Sequence, residues 1–347
     1  MPLAGWKKVL LVDLGFLGDT VHSIPALRAL ALEGRQVDVM TTAVGAELLR
    51  LVPEVGRIWV VPLRKPSPAP WKSLGLILAL RREKYDAAIT LVGSDRNLFC
   101  VSASGASERI AHLTGKNSWT ARWGLTRTLA PRDRNFPVFE QRLSLLRELG
   151  WSGTNPGWAW KIPADDLAWA DAIQKSPTIH LSVNAASSPL NEWPLDEWAA
   201  VLHGIWKIRP EFHVMATGAG SEREAARLAD LNALVRDDRL KILSDRLPVS
   251  RLAALVQKTE MHVGLDSGVL HLAMALGQPT VSLFRDSIGR AGWAPRGNCH
   301  RVLFRPCPCL NSGTAICAGG RSQCLAEIKP EEVTQAVLET WAAARQG

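Results

Sequence analysis

Short apolar runs that break at glycine or acidic turns alternate along this chain with stretches whose apolar residues recur every three or four positions. Residues 261–284 show the pattern most completely. Met261-His262-Val263-Gly264 suits a buried strand, and Asp266-Ser267-Gly268 is a break. Val269, Leu272, Ala273 and Leu276 then share one helical face. Gly277 and Pro279 stop that helix, and residues 280–284 read as a second buried strand. The turn sets Asp266 and Ser267 at a helix N-terminus, where outward backbone N–H groups and the helix dipole favour an anion. Either residue serves equally as a plain N-cap. His271 follows on the first turns of the helix.

The same unit opens the chain. Val9-Leu10-Leu11-Val12 is an apolar strand, and residues 13–19 form a Gly-spaced turn. Val21, Ile24, Leu27 and Leu30 then line one face of a helix expected from Thr20 onward. Asp19 is placed to cap that helix, and Pro25 predicts a kink in it. Gly15-x-x-Gly18-Asp19 is not the dinucleotide fingerprint: a third glycine is missing, and an acid stands where a phosphate would approach. An acid aimed into a cleft suits proton acceptance, so Asp19 reads either as a cap or as a base.

Between these units the first half predicts strands at 36–40, 58–61 and 87–91 and helices at 46–51, 74–82 and 139–149, with a Pro-rich loop at 65–70. Residues 94–107 and 113–135 carry turn formers and the basic residues Arg96, Arg109, Lys116, Arg122, Arg127, Arg132 and Arg134. These suit a solvated face or the rim of a site for an anionic acceptor. Residues 150–163, rich in Gly, Pro, Trp and Asn, form a linker. Alternation then restarts, with helices at 164–175, 195–208, 222–232 and 249–257 and strands at 178–183, 213–217 and 240–243. A last helix at 329–344 carries Val333, Ala336, Val337 and Trp341 on one face.

Strands alternating with helices predict an α/β protein with mainly parallel, doubly wound sheets. The expected domains are residues 1–163 and 164–328, with the terminal segment 329–347 crossing back to the first domain. The strands' carboxyl ends should face a cleft between domains, where ligands of such sheets bind. In the second half these ends carry three polar sets: 184–194 with Ser187, Ser188 and Asn191, Gly218-Ala219-Gly220-Ser221-Glu222, and Asp266-Ser267-Gly268. Hydroxyls and glycine amides suit a diphosphate, and Glu222 suits ribose hydroxyls.

Composition narrows the function. At 347 residues the chain exceeds one ordinary core. Its net charge of +8 suits an acidic partner: nucleic acid, an anionic membrane surface or a phosphorylated substrate. No long Lys/Arg run is present, which argues against a nucleic-acid module. The N-terminus lacks a signal-peptide pattern and no apolar run reaches about 18 residues, so a cytosolic protein with reduced thiols is expected. Neither half has G-x-G-x-x-G after a strand, which argues against an NAD(P) oxidoreductase.

Gly15-x-x-Gly18-Asp19 with Pro25-Ala26-Leu27, Trp193-Pro194 before a helix, and Asp266-Ser267-Gly268-x-x-His271 with Gly277-x-Pro279-x-Val281 together resemble the ADP-heptose:lipopolysaccharide heptosyltransferases of glycosyltransferase family 9. The resemblance implies a GT-B fold of two Rossmann-like domains, with the acceptor on the N-terminal one and the ADP-sugar on the C-terminal one. It implies inverting transfer of a heptose to the lipopolysaccharide inner core (a Kdo-lipid A acceptor) at the inner membrane face, with no required metal.

Under it, Asp19 is the general base and Gly15, Gly18 and His22 lie on the acceptor side. Ser187, Ser188, Asn191, Gly218, Glu222, Asp266, Ser267, Gly268, His271 and Arg285 lie on the donor side. One position departs from the family: Asn191 stands where a Lys commonly neutralises the leaving phosphate. Arg285 or Arg290 is then the expected replacement cation. The departure also admits another donor, heptosyl transfer to a protein or other glycan, or a non-catalytic sugar-nucleotide or metal-binding homologue.

Cys307, Cys309, Cys317 and Cys324 cluster in a Gly-containing stretch whose spacing is not that of a zinc ribbon. Zinc or iron binding, a disulfide and free thiols all remain open for them.

Overall fold

Each half of the chain builds one six-stranded parallel sheet. The computed structural model describes residues 2–62, 70–113, 119–130, 133–175, 177–185, 188–308, 317 and 322–345. Ser187, Cys309 and most of the Pro-rich loop lie outside them. The chain divides into units Met1–Lys161 and Ile162–Gly347.

The first unit contains β1 (Lys8–Asp13), β2 (Gln36–Thr41), β3 (Ile58–Val60), β4 (Ala87–Thr90), β5 (Glu108–His112) and β6 (Arg127–Leu129), in spatial order β3-β2-β1-β4-β5-β6. Its helices are α1 (Leu17–Ala31), α2 (Ala43–Leu49), α3 (Pro70–Arg82), α4 (Asp95–Ala103), α5 (Trp119–Arg122) and α6 (Val138–Glu148). The central strands are apolar on both faces because helices cover both faces of the sheet; Val9 to Val12 are all buried.

The second unit contains α7 (Ala164–Ile173), β7 (Thr178–Ser182), α8 (Leu195–Ile208), β8 (His213–Thr217), α9 (Glu222–Val235), β9 (Leu240–Leu243), α10 (Val249–Lys258), β10 (Met261–Leu265), α11 (Gly268–Ala275), β11 (Thr280–Leu283), α12 (Arg290–Trp293), β12 (His300–Leu303), α13 (Gln323–Ala326) and α14 (Pro330–Ala344). Its sheet order is β12-β11-β10-β7-β8-β9. Counted from its own first strand, this is the winding of the first unit. Both sheets follow the doubly wound pattern, and the expected α/β, GT-B class holds.

In both units the winding reverses between the two central strands: β1 and β4 in the first, β7 and β10 in the second. That reversal opens a crevice at the strands' carboxyl ends. In the second unit it is tight, because a Cβ on Gly264 would stand 2.7 Å from the Ser182 carbonyl oxygen. Only glycine lets β10 sit beside β7 there.

Tryptophan fills much of the second core. Trp193 and Trp198 meet edge to face at 5.0 Å, and Phe212 meets Trp341 of α14 at 5.1 Å. Val333, Ala336, Val337 and Trp341 belong to this core, so the apolar stripe of α14 is occupied within the second unit. Among the described residues no helix is long and apolar enough to cross a membrane.

One local expectation changes. Helix α1 begins at Leu17 rather than Thr20, because the Asp19 carboxylate caps the turn from inside by accepting the Phe16 N–H at 3.0 Å. Pro25 lies inside the helix, as expected.

Candidate functional site

The first polar centre lies at the carboxyl end of β1. Asp13 closes the strand and accepts the Gly15 N–H at 3.0 Å. A Cβ on Gly15 would lie 2.4 Å from the Asp19 Cβ, so glycine is required for the Asp19 side chain to fold back over the turn. Asp19 binds the Phe16 N–H through Oδ2, and its Oδ1 accepts from Arg142 Nη2 at 3.2 Å. The Asp19 side chain keeps 18% exposure.

Arg142, on α6, is 4% exposed. Its Nη1 donates to the Asp19 carbonyl and, at 2.5 Å, to Ser23 Oγ. Ser23 Oγ in turn donates to Asp13 Oδ2 at 2.5 Å. Asn97 of α4 joins the adjoining loop: it accepts the Leu14 N–H and donates to the Val92 carbonyl, which ties the β1 turn to the β4 turn. Gly18 is buried in the first turn of α1, and the buried His22 ring stacks on Phe139 at 6.2 Å.

Neither Arg142 nor Asn97 was singled out from sequence. The signal for Arg142 was available: on α6 it follows Val138 and precedes Leu146 by four residues, so it falls in the buried stripe. A charge in such a stripe needs a partner.

The second centre lies at the carboxyl ends of β7 and β10. Asp266 Oδ1 lies 3.3 Å from His271 Nε2, with the His271 side chain 3% exposed and Asp266 33% exposed. The His271 ring also meets Trp293 at 5.3 Å. Ser267 occupies the cap position of α11, but its hydroxyl makes no capping bond and its buried Oγ has no partner among the described residues. Beside it, after β7, the buried Asn184 has an unpartnered Nδ2. Two orphaned polar atoms at one switch point suit the polar groups of a ligand.

Ser188 and Asn191 lie on the 3-10 turn Pro189–Asn191. Glu192 locks this loop, accepting the Ala185 N–H at 3.0 Å and Arg223 Nη1 at 2.8 Å. Arg227 Nε lies 3.3 Å from Glu192 and donates to Asn184 Oδ1 at 3.2 Å. Burial pushes the Arg227 guanidinium below its usual value, and the Glu192 charge opposes that shift. Gly218 follows β8. Glu222 is exposed at the start of α9, while its neighbour Glu224 holds the loop by accepting the Ala219 N–H at 2.9 Å.

Arg285 follows β11, whereas Arg290 is taken by Asp286 at 3.1 Å and lies over the Phe304 ring. The replacement cations predicted from sequence did not include Arg223, whose half-exposed guanidinium stands at the loop itself.

Topology thus brings Ser188, Asn191, Gly218, Glu222, Asp266, Ser267, Gly268, His271 and Arg285 to one edge of the second sheet. It brings Gly15, Gly18 and Asp19 to the matching edge of the first. A cavity of about 760 Å³ lined by His213, Arg236, Arg239 and Lys241 holds none of them. It opens by the amino-terminal parts of β8 and β9, away from the edge where such sheets bind ligands.

Beneath the second centre, His180 and His262 pair across β7 and β10, Nδ1 to Nδ1 at 2.8 Å, and His180 Nε2 meets Thr217 Oγ1 at 3.0 Å. Burial pushes the His180 imidazole down to about 3, and burial with the neighbouring His180 and His271 pushes His262 down as well. Both rings are neutral, and the sequence reading overlooked them.

Cys307, Cys317 and Cys324 are buried together with Leu190 packed against them. Burial and the two neighbouring thiols raise the Cys324 thiol. Among the described residues no group of three His, Cys, Asp or Glu is arranged to hold a metal ion. The trio backs the 188–193 loop, where Ser322 Oγ donates to the Leu190 carbonyl and Trp193 Nε1 donates to the Leu325 carbonyl at 3.0 Å.

Comparison with known proteins places these features in context. The family model of glycosyltransferase family 9 (heptosyltransferase) matches residues 74–314, more than half of the chain. Lipopolysaccharide heptosyltransferase 1 of Pseudomonas aeruginosa is 26% identical, over 94% of this chain and 92% of its own length. The structure of Escherichia coli ADP-heptose lps heptosyltransferase II superposes with a TM-score of 0.77 at 20% identity, covering 97% of this chain and 99% of that one. That of Escherichia coli heptosyltransferase WaaC with ADP gives 0.72 at 17% identity, covering 96% and 99%.

Proposed function

Because the chain belongs to glycosyltransferase family 9 (heptosyltransferase), we propose that this glycosyltransferase moves a heptose from ADP-heptose to the inner core of a lipopolysaccharide precursor, with inversion at the anomeric carbon. The observation that carries the reading is Asp19, a partly exposed carboxylate held through both oxygens at the switch point of the first sheet. Asp19 takes the proton of the acceptor hydroxyl as that oxygen bonds to the anomeric carbon. The bond from that carbon to the diphosphate oxygen breaks, and ADP leaves.

The amides at the start of α11, the Ser267 hydroxyl and the Asp266–His271 pair suit the donor's diphosphate and sugar. With Asn191 in place of a lysine, Arg285 supplies positive charge at that edge, while Arg223 is bound by both oxygens of Glu192. The names of the relatives support the donor and the acceptor. Net charge +8 suits a phosphorylated acceptor on an anionic membrane surface. Exposed Phe99, Trp119 and Trp123 on and beside α4 and α5 suit peripheral contact with that surface.

Calorimetry with ADP, UDP, GDP and NAD, on the wild type and on Asp266→Ala, tests the donor. Selective ADP binding weakened by the substitution is expected; a preference for UDP or GDP would overturn the donor. Product formation from ADP-heptose and a Kdo-lipid A acceptor tests the transfer. The Asn191 departure favours one second reading, a homologue that binds the nucleotide without turnover, and ADP binding with no product would establish it.

A further inference from the structure

The structure assigns Arg142 as the residue that positions Asp19, so that α6, remote in sequence, completes the reactive end of α1. The proposal rests on the reading of Asp19 as the base. Its grounds are geometric. The Arg142 side chain is 5% exposed, yet it touches no apolar-only environment: Asp19 meets it through both carboxylate and carbonyl, Ser23 through its hydroxyl, and Asp13 at 3.7 Å.

Taking a guanidinium out of water costs several kcal/mol before pairing. A fold that only needed α6 to pack on α1 would place leucine there, as it does at Leu143 and Leu146. Instead one cation sits between two carboxylates, Asp13 and Asp19. Ser23 links the two, donating to Asp13 and accepting from Arg142.

The division of labour follows from the contacts. Asp13 is 2% exposed and cannot reach a substrate, so it acts as a fixed counter-charge that holds the guanidinium in place. Asp19 is the partly open member. Its Oδ2 is held by the Phe16 N–H and its Oδ1 by Arg142, which leaves the carboxylate a single orientation. A base fixed in direction loses little freedom on reaching the transition state.

The test is a double-mutant cycle on the full chain, with ADP affinity as a control that the second unit is intact. Arg142→Ala is expected to lower turnover by about 10²-fold with ADP affinity unchanged, and ethylguanidinium in the assay should restore part of it. Arg142→Lys, which keeps the charge but not the fork, should retain more turnover than Arg142→Ala. In an Asp19→Asn background Arg142→Ala should add little, because both act through one carboxylate.

Additive losses, or an Arg142→Ala enzyme within about twofold of wild type, would overturn the assignment while leaving Asp19 as the base. Full turnover by Asp19→Asn alone would instead remove the base reading itself. If Arg142→Ala does not fold, the ordering of Arg142→Lys against Asp19→Asn, singly and together, decides the same question.

Discussion

The two units wind their chains in the same strand order, yet each furnishes its own crevice with different side chains. At the first switch point two carboxylates close on a buried arginine, Asp13 and Asp19 around Arg142. At the second, the floor is a neutral imidazole pair, His180 and His262, and the rim carries the orphaned Ser267 hydroxyl and Asn184 amide. A fixed anion suits proton removal, while neutral donors and backbone amides suit a ligand that brings its own negative charge. Topology therefore sets where a site lies, and the few side chains at the crevice set what it does.

The largest expected effect separates the two ends by kinetics. Asp19→Asn should lower turnover by about 10²–10⁴-fold with ADP affinity within about twofold of wild type. A parallel loss of ADP affinity would mean that the carboxylate end does not act alone. Next comes the tryptophan core. Trp193→Ala should cost about 3–5 kcal/mol of stability by calorimetry or urea titration, with the loss confined to the second unit. Protection of first-unit amides from hydrogen exchange should stay unchanged, and a uniform loss across both units would erase the distinction between them.

A smaller effect is expected at the second rim. Asp266→Ala leaves the buried His271 without its carboxylate and should weaken ADP by about tenfold to a hundredfold while sparing the fold. An unchanged dissociation constant would move the donor site elsewhere.

The smallest effect is a pH dependence. His180 and His262 titrate below their unfolded value of about 6.5, so the unfolded chain binds more protons as pH falls. Their contribution is complete above about pH 6.5 and is lost as the pH falls below that value. Urea midpoints measured between pH 7 and 5 should fall, and His262→Gln should flatten the slope. An equal slope in that variant would show that the imidazole pair is not what acid attacks.

Much of this was legible from periodicity. Strands β1, β2, β4, β7, β8, β10 and β11 were readable because both faces are covered and short, mostly apolar runs are bounded by turns, with Asp38, His180 and His262 as buried interruptions. Strands β5 and β6 were not, since the partly exposed Glu108-Arg109 and Arg127-Thr128 leave each of them only a short apolar run. The glycine-acid turns marked both switch points, and Asp19 and Asp266 with them. The partner of Asp266, His271, lies five residues on and was legible with it, whereas the partner of Asp19 was hidden because Arg142 lies 123 residues away. Local pattern shows where a charge is buried and leaves open what answers it.

The strand order also sets a timetable for synthesis. β7 is made before β8 and β9, but its other neighbour, β10, follows 82 residues after it, counted from His180 to His262. At ordinary elongation rates that edge waits roughly 4–16 s. Through that interval the nascent chain carries an open, apolar strand edge, a template for unwanted pairing. The first unit passes a similar interval, since β1 waits from Val9 to Ala87 for β4, and in the second the exposure ends when Gly264 seats against Ser182.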